Sequence, residues 1–387
     1  MAIAIFPPRT DPIRFTSFGE QQVAINDPLF QIQFTYNLNT DFVTSATSGS
    51  GDVKQHNGML EVSSGAAISS LGRVSSIDVS RFRPGQGTVA RFDAIFDTAV
   101  SGSQQIIGLG ELEDGLFIGY SGTTFGVMRR VDGADTWTTQ ANFNLDTLDG
   151  SGKSGMALDP TKGNVYEINA QMGFGQIEYC IENPADGNFV KFHLDKFGNS
   201  STTPSLRNPT LPMMIESKNT TNNSMLVMKT ASWGVFKQGP DKDLGSLKAA
   251  QNSKTSVSTE TNIITLRSKS TYHNRVNRIT VRGEFLGMAT EGTKPVTFYV
   301  TKNATLGGSP SYSDIDTDNS VMEKDTAGTT VTGGQRVLEF ELAKSDSKEV
   351  DVQDLNIIVH PGETYTFSAE SSAATEAFFS LAWKEYH

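Results

Sequence analysis

Apolar positions in this chain recur with a period of two. In Asp114–Val127 (DGLFIGYSGTTFGV), Phe117, Gly119, Tyr120, Phe125 and Val127 stand among small or polar neighbours. The same alternation returns in Leu158–Val190 at Val165, Ile168, Ile177, Tyr179 and Ile181. A strand points successive side chains to opposite faces, so this pattern predicts half-buried β-strands rather than helices. The breaks fall at Ser121–Gly122, Lys162–Gly163 and Asp186–Gly187. These residues tolerate the positive φ that tight hairpins require.

The pattern divides the chain into zones. Residues 1–24 carry Pro7, Pro8 and Pro12 and read as an extended N-terminal arm. Residues 25–238 hold many short strand signals, among them 88–96, 105–109, 176–182, 224–230 and 232–236. Periodicity fades over 239–256 (GPDKDLGSLKAAQNSKTS), which reads as a linker. Residues 257–387 resume the strand pattern at sandwich spacing. The sole helix candidate is 343–354 (AKSDSKEVDVQD). The predicted fold class is all-β: two antiparallel β-sandwich, jelly-roll-like domains.

Composition narrows the function classes. Net charge is −11 and no more than two Lys or Arg are adjacent. Nucleic-acid binding is not expected, because counterion release needs a basic stripe. The 387 residues are 37% hydrophobic, with 23 Phe, too apolar for disorder. Cys180, the lone cysteine, lies between Tyr179 and Ile181 and reads as a buried strand thiol with no intrachain disulfide partner. The N-terminal MAIAIFPPRTDPIRF lacks the basic and apolar regions of a secretory signal, so synthesis in a cytoplasm is expected. No apolar run reaches membrane-spanning length, and membrane insertion is not expected.

The chemical motifs are sparse. Gly150–Ser154 (GSGKS) has Thr147 where a phosphate-binding loop needs its first glycine, and reads as a polar turn. Asp314, Asp316 and Asp318 have the alternating spacing of a calcium loop, but Asn319 and Asp325 occupy its glycine and glutamate positions. They are retained as a calcium candidate beside the plainer reading of a solvated turn. Glu111, Glu113 and Asp114 cluster at a turn without the second acidic motif that glycosidase chemistry needs. The five histidines are scattered and no GxSxG element occurs. No cofactor and no catalytic residues are expected, and the chain reads as a non-enzyme.

Six blocks carry a resemblance: Arg83–Gly87 (RPGQG), Ala90–Phe96 (ARFDAIF), Glu113–Val127, Leu158–Ile168, Phe174–Asn183 (FGQIEYCIEN) and Thr203–Leu211 (TPSLRNPTL). Together they resemble a domain of virion structural proteins of tailed bacteriophages and large DNA viruses. The resemblance spans about residues 75–235 and implies a lectin-like, concanavalin-like jelly roll. It further implies a component of the virion exterior (capsid decoration, fibre or tail appendage) that self-associates, most plausibly as a trimer, and docks on other virion proteins. The alternative function is an adhesin that attaches the particle to host-surface glycans. For either contact the expected segment is Asp132–Phe143 (DGADTWTTQANF), read as a turn-rich polar segment that carries Trp137. Its ring would stack on a sugar or plug a subunit contact, with Asp135, Thr138 and Gln140 hydrogen-bonding and Phe143 nearby.

Overall fold

The computed structural model describes residues 26–240, 245–355 and 357–387. The expected arm at 1–24 lies outside them. The chain divides into two compact units between Lys242 and Asp243, and each is a sandwich of antiparallel sheets.

Unit 1 packs a six-stranded sheet on a seven-stranded one. The first runs Asn26–Gln33, Ser232–Gln238, Thr88–Ala94, Asn164–Ala170, Gln176–Glu182 and Phe189–Lys196, in spatial order. The second runs Ala134–Thr139, Thr124–Val131, Gly115–Ser121, Ser103–Gly110, Leu211–Asn219, Leu71–Ser80 and Val43–Ser48. Alternation places Tyr166, Ile168 and Ala170 in the core, with Glu167 and Asn169 on the other face. Between the sheets lie Phe34, Phe92, Phe96, Ile107, Ile118 and Trp233. Trp233 meets Phe34 edge-on at 5.0 Å, and its indole N–H donates to Thr230 Oγ1 at 3.1 Å, as a buried Trp requires. Asp132 and Gly133 turn the Thr124–Val131 hairpin with φ of 54° and 76°, the two-residue geometry that matches strand twist.

Unit 2 sets one sheet of Ser246–Val257, Thr375–Tyr386, Thr280–Glu291 and Ser347–Asp351, with Ile358–Val359 also paired, against a larger one. The larger sheet includes Thr261–Ser268, Thr364–Ser371, Val296–Lys302 and Gln335–Leu342. Its core joins Leu266, Leu286, Phe298, Phe367, Phe379 and Trp383.

Two expectations are corrected. The second half of the expected 239–256 linker is a strand, paired from Ser246↔Glu385 to Lys254↔Ala377. It is an edge strand whose inward side chains include Lys248, Asn252 and Lys254. These are tied to Asp316, the Ile263 carbonyl and the Thr326 carbonyl. Polar inward residues erase the apolar alternation that would have revealed it. The 343–354 segment is also no helix: Ser347–Asp351 pairs with Thr280–Glu291, and only 353–355 makes a 3-10 turn.

Unit 2 is closed by Glu385, which is fully buried on its last strand. Its carboxylate accepts from Ser320 Oγ at 2.6 Å, the Val321 amide at 2.9 Å and Trp383 Nε1 at 2.9 Å. Burial pushes its pKa up, but these donors and His387 outweigh it and hold the carboxyl below its ordinary 4.5. A lowered folded-state pKa gives stability that is complete above the unfolded value and lost as pH falls through the folded one. Calorimetry across pH should therefore show unit 2 weakening below pH 4.5, with Glu385→Gln flattening that part of the profile. Glu385→Ala strands three buried donors and should cost about 3 kcal/mol. A pH profile identical in wild type and Glu385→Gln would refute the assignment.

Candidate functional site

The Asp-Gly hairpin fixes how its two strands face. Ala134 pairs with Val131, which sets Asp135 against Arg130 and Trp137 against Met128. Asp135 and Trp137 thus share the outer face of the seven-stranded sheet, and Thr138 takes the inner side. Trp137 is half-buried on a second apolar cluster of Ile106, Phe117, Met128 and Met214, separate from the sandwich core. The Phe117 ring lies over Gly110 and Gly115, where an added Cβ would come within 2.3 and 2.2 Å of it. Only glycine leaves room for the ring to lie flat.

Polar groups surround this cluster. Arg130 donates from Nε to Asp135 Oδ1 at 2.6 Å and from Nη1 to the Glu111 carbonyl at 2.9 Å. Its guanidinium also covers Phe117, 5.4 Å from the ring centre. Burial raises the Asp135 pKa, but Arg130 and Gln104 outweigh it and leave the carboxyl below its usual range. Gln104 donates to Asp135 Oδ2 at 3.4 Å, while its buried Oε1 has no hydrogen-bond partner. Further along the face the buried Glu216 accepts from Arg73 Nε at 2.7 Å and pairs with Lys218 at 3.2 Å. Chemically, the face offers an aromatic ring and fixed ion pairs.

The other expected contact residues lie elsewhere. Gln140 sits in a 3-10 turn and donates to the Thr147 and Leu148 carbonyls at 3.0 and 3.1 Å. Phe143 is in the core, 4.7 Å from Phe192. The structure therefore joins Trp137 to Asp135 and separates both from Thr138, Gln140 and Phe143. Arg130 and Met128 were missed, although the Asp-Gly turn signal fixes their register. Gln104 lies three hairpins upstream of Trp137, and Glu216 comes from a strand distant in sequence that no local signal links to it.

The acidic turns prove to be local scaffolding. Asp316 Oδ1 accepts the Asp318 and Asn319 amides, each at 3.0 Å, and Asp314 pairs with Lys269 at 2.8 Å. Among the described residues no three His, Cys, Asp or Glu side chains converge to hold a metal, so Asp314, Asp316 and Asp318 are not brought together as calcium ligands. Asp114 receives the Arg207 and Asn208 amides at 2.9 and 3.3 Å. In the GSGKS turn, Asp146 accepts the Leu148 and Ser154 amides at 2.9 and 2.8 Å. Cys180 is buried, and burial raises its thiol pKa.

No family model matches the chain, and no curated protein matches it. Among solved structures it is similar to a glycosyl hydrolase family protein from Mycobacterium fortuitum, at 12% identity and a TM-score of 0.40, over 54% of this chain and 100% of that one. It is similar to a structure from work on endo-acting O-glycanases of human gut microbiota, at 14% identity and a TM-score of 0.40, over 55% and 100%. A third is lectin I-B4 from Griffonia simplicifolia, at 11% identity and a TM-score of 0.33, over 54% and 99%. These likenesses concern strand layout alone. Several of the similar structures are described as glycosyl hydrolases, and the expectation of a non-enzyme is withdrawn.

The two tryptophans of unit 1 should separate in a stability measurement. Trp233→Ala opens a core cavity and should cost about 3–5 kcal/mol in urea unfolding. Trp137→Ala, outside the core, should cost less than half of that. Equal losses would place Trp137 among the core residues.

Proposed function

We propose that the chain is an attachment protein of a virion exterior whose first unit recognises host-surface carbohydrate. The observation that carries the carbohydrate reading is Trp137, held outside the sandwich core on one face with Asp135 and Gln104. The half-buried indole offers a flat apolar surface to a sugar ring, and Asp135, whose side chain is 27% exposed, offers carboxylate oxygens to a hydroxyl. Small-ligand sites combine these same two elements. Arg130 locks Asp135 in place, so the polar rim is set before a ligand arrives and little entropy is lost on binding.

The virion setting rests on the six sequence blocks that resemble virion structural proteins. A fold built on burial and ladder pairing, without disulfides, suits a protein made in a reducing cytoplasm and exposed outside it. Self-association as a trimer belongs to the same proposal.

A glycan array probed with the intact chain tests the reading. We expect saturable binding to a subset of glycans, weakened about tenfold or more by Trp137→Ala, equivalent to at least ~1.4 kcal/mol, with the unfolding midpoint little changed. Release of reducing ends from the bound glycan would add catalysis to recognition. No binding across the array, or full binding by the variant, would overturn the proposed site. A monomer in light scattering at micromolar concentration would remove the self-association.

A further inference from the structure

A groove of about 880 Å³ crosses the outer face of the unit 2 sheet that contains Thr280–Glu291 and Thr375–Tyr386. A β-bulge shapes it. Gly283 lies opposite Trp383 and Phe285 opposite Ala382, so Glu284 is the extra residue. The insertion reverses the parity of the strand. Gly283 faces the core with Trp383, whereas Phe285, Gly287 and Ala289 face outward. Without the extra residue Phe285 would point inward. The bulge is firmly held: the buried Glu284 accepts from Gln353 Nε2 at 2.6 Å and pairs with Lys384 at 3.0 Å. Burying a carboxylate is costly, and here it presents an aromatic ring that is 39% exposed.

Phe378 provides a second ring. It lies opposite Ala289 on the neighbouring strand, and Gly287 lies opposite Ser380 between the two rings. A Cβ on Gly287 would come within 2.4 Å of Ser380 Oγ, so glycine keeps the floor low. The rings stand four positions apart in register, about 13 Å along the strands. That is too far for one pyranose ring to touch both. The Ser380 and Ser253 hydroxyls and the Gln251 amide line the same groove.

Charge decides the kind of occupant. The lysine at the groove, Lys348, lies 5.3 Å from the centre of the Phe340 ring, and Glu349 is exposed on the rim. Lys348 and Glu349 are both exposed at the groove, so it carries no net charge, which suits a neutral, hydroxyl-rich polymer better than sulfated or uronate chains. We infer that this groove binds a neutral linear glycan several sugar units at a time, with Phe285 and Phe378 as stacking platforms. This site is independent of the one around Trp137.

Isothermal titration of the intact chain with β-glucan, xylan and mannan oligosaccharides of increasing length is the test. Affinity for one of them should rise with length until both rings are covered. It should fall about tenfold or more in Phe285→Ala and Phe378→Ala. Ala382→Trp fills the floor from the outer face and should also abolish binding, which keeps the test sound if a Phe variant unfolds. The inference is overturned if none of these glycans bind, if the Phe variants bind normally, or if a sulfated polymer binds more tightly. Concentration-dependent self-association lost in Ala382→Trp, without glycan binding, would give the face to a second copy of the chain and overturn it as well.

Discussion

Antiparallel pairing gives every strand two faces, and unit 1 depends on which face each residue of Thr88–Ala94 takes. That strand lies between Ser232–Gln238 and Asn164–Ala170, so it joins segments far apart in sequence. Its in-register state buries Ala90, Phe92 and Ala94. A slip of one residue would bury Arg91 and Asp93 instead. Polar contacts guard the register: Arg91 donates to Glu167 at 3.0 Å, and Asp93 accepts from Ser232 Oγ at 2.9 Å. The core supplies most of the stability and the outward ion pairs select one alignment. Burial and cross-strand pairing divide the work in this way throughout the sandwich.

The same rule explains what could be read from the sequence. Strands with one apolar face, such as Asn164–Ala170, announce themselves because burial and polarity alternate together. Ser246–Val257 hides because its inward Lys248, Asn252 and Lys254 are satisfied by partners distant in sequence. Ser103–Gly110 is buried on both faces, so it reads at 105–109 as a short apolar run and not from a period of two. At the site, Asp132–Phe143 reads as a turn, and the strand Ala134–Thr139 inside it sets Asp135 and Trp137, two residues apart, on one face. Thr138, one residue on, had to point the other way. Phe143 went to the core because Phe192 offered it a buried aromatic partner. Glu216 enters through the pairing of Leu211–Asn219 with Ser103–Gly110, strands about a hundred residues apart, which no local pattern encodes, and Gln104 reaches Asp135 across three successive hairpins.

The buried charges on the outer face of unit 1 are a costly way to build a surface. Removing Glu216 and Arg130 from water carries a desolvation penalty that their partners only partly return. An apolar set of the same volume would hold the sheet at least as well. What ion pairs add is direction: Arg130 is fixed by Asp135, by the Glu111 carbonyl and by the Phe117 ring at once. A side chain with three different partners cannot drift, so the rim beside Trp137 is rigid while the indole itself stays half open.

In each unit an aromatic ring is turned outward, by different means. In unit 1 a hairpin edge carries Trp137, and ordinary alternation puts it on the outer face. In unit 2 alternation would have buried Phe285, and an inserted Glu284 reverses it. The second device needs a buried carboxylate, Lys384 and Gln353 to hold it, which is more than the fold requires. A strand that only had to close a sandwich would pair without interruption across Gly283 and Phe285. Departures from local consistency that a fold supports with dedicated partners are where recognition is to be sought. By that criterion the bulge in unit 2 is a stronger mark of function than the weak periodicity of Ser246–Val257, whose irregularity follows from its place at the sheet edge.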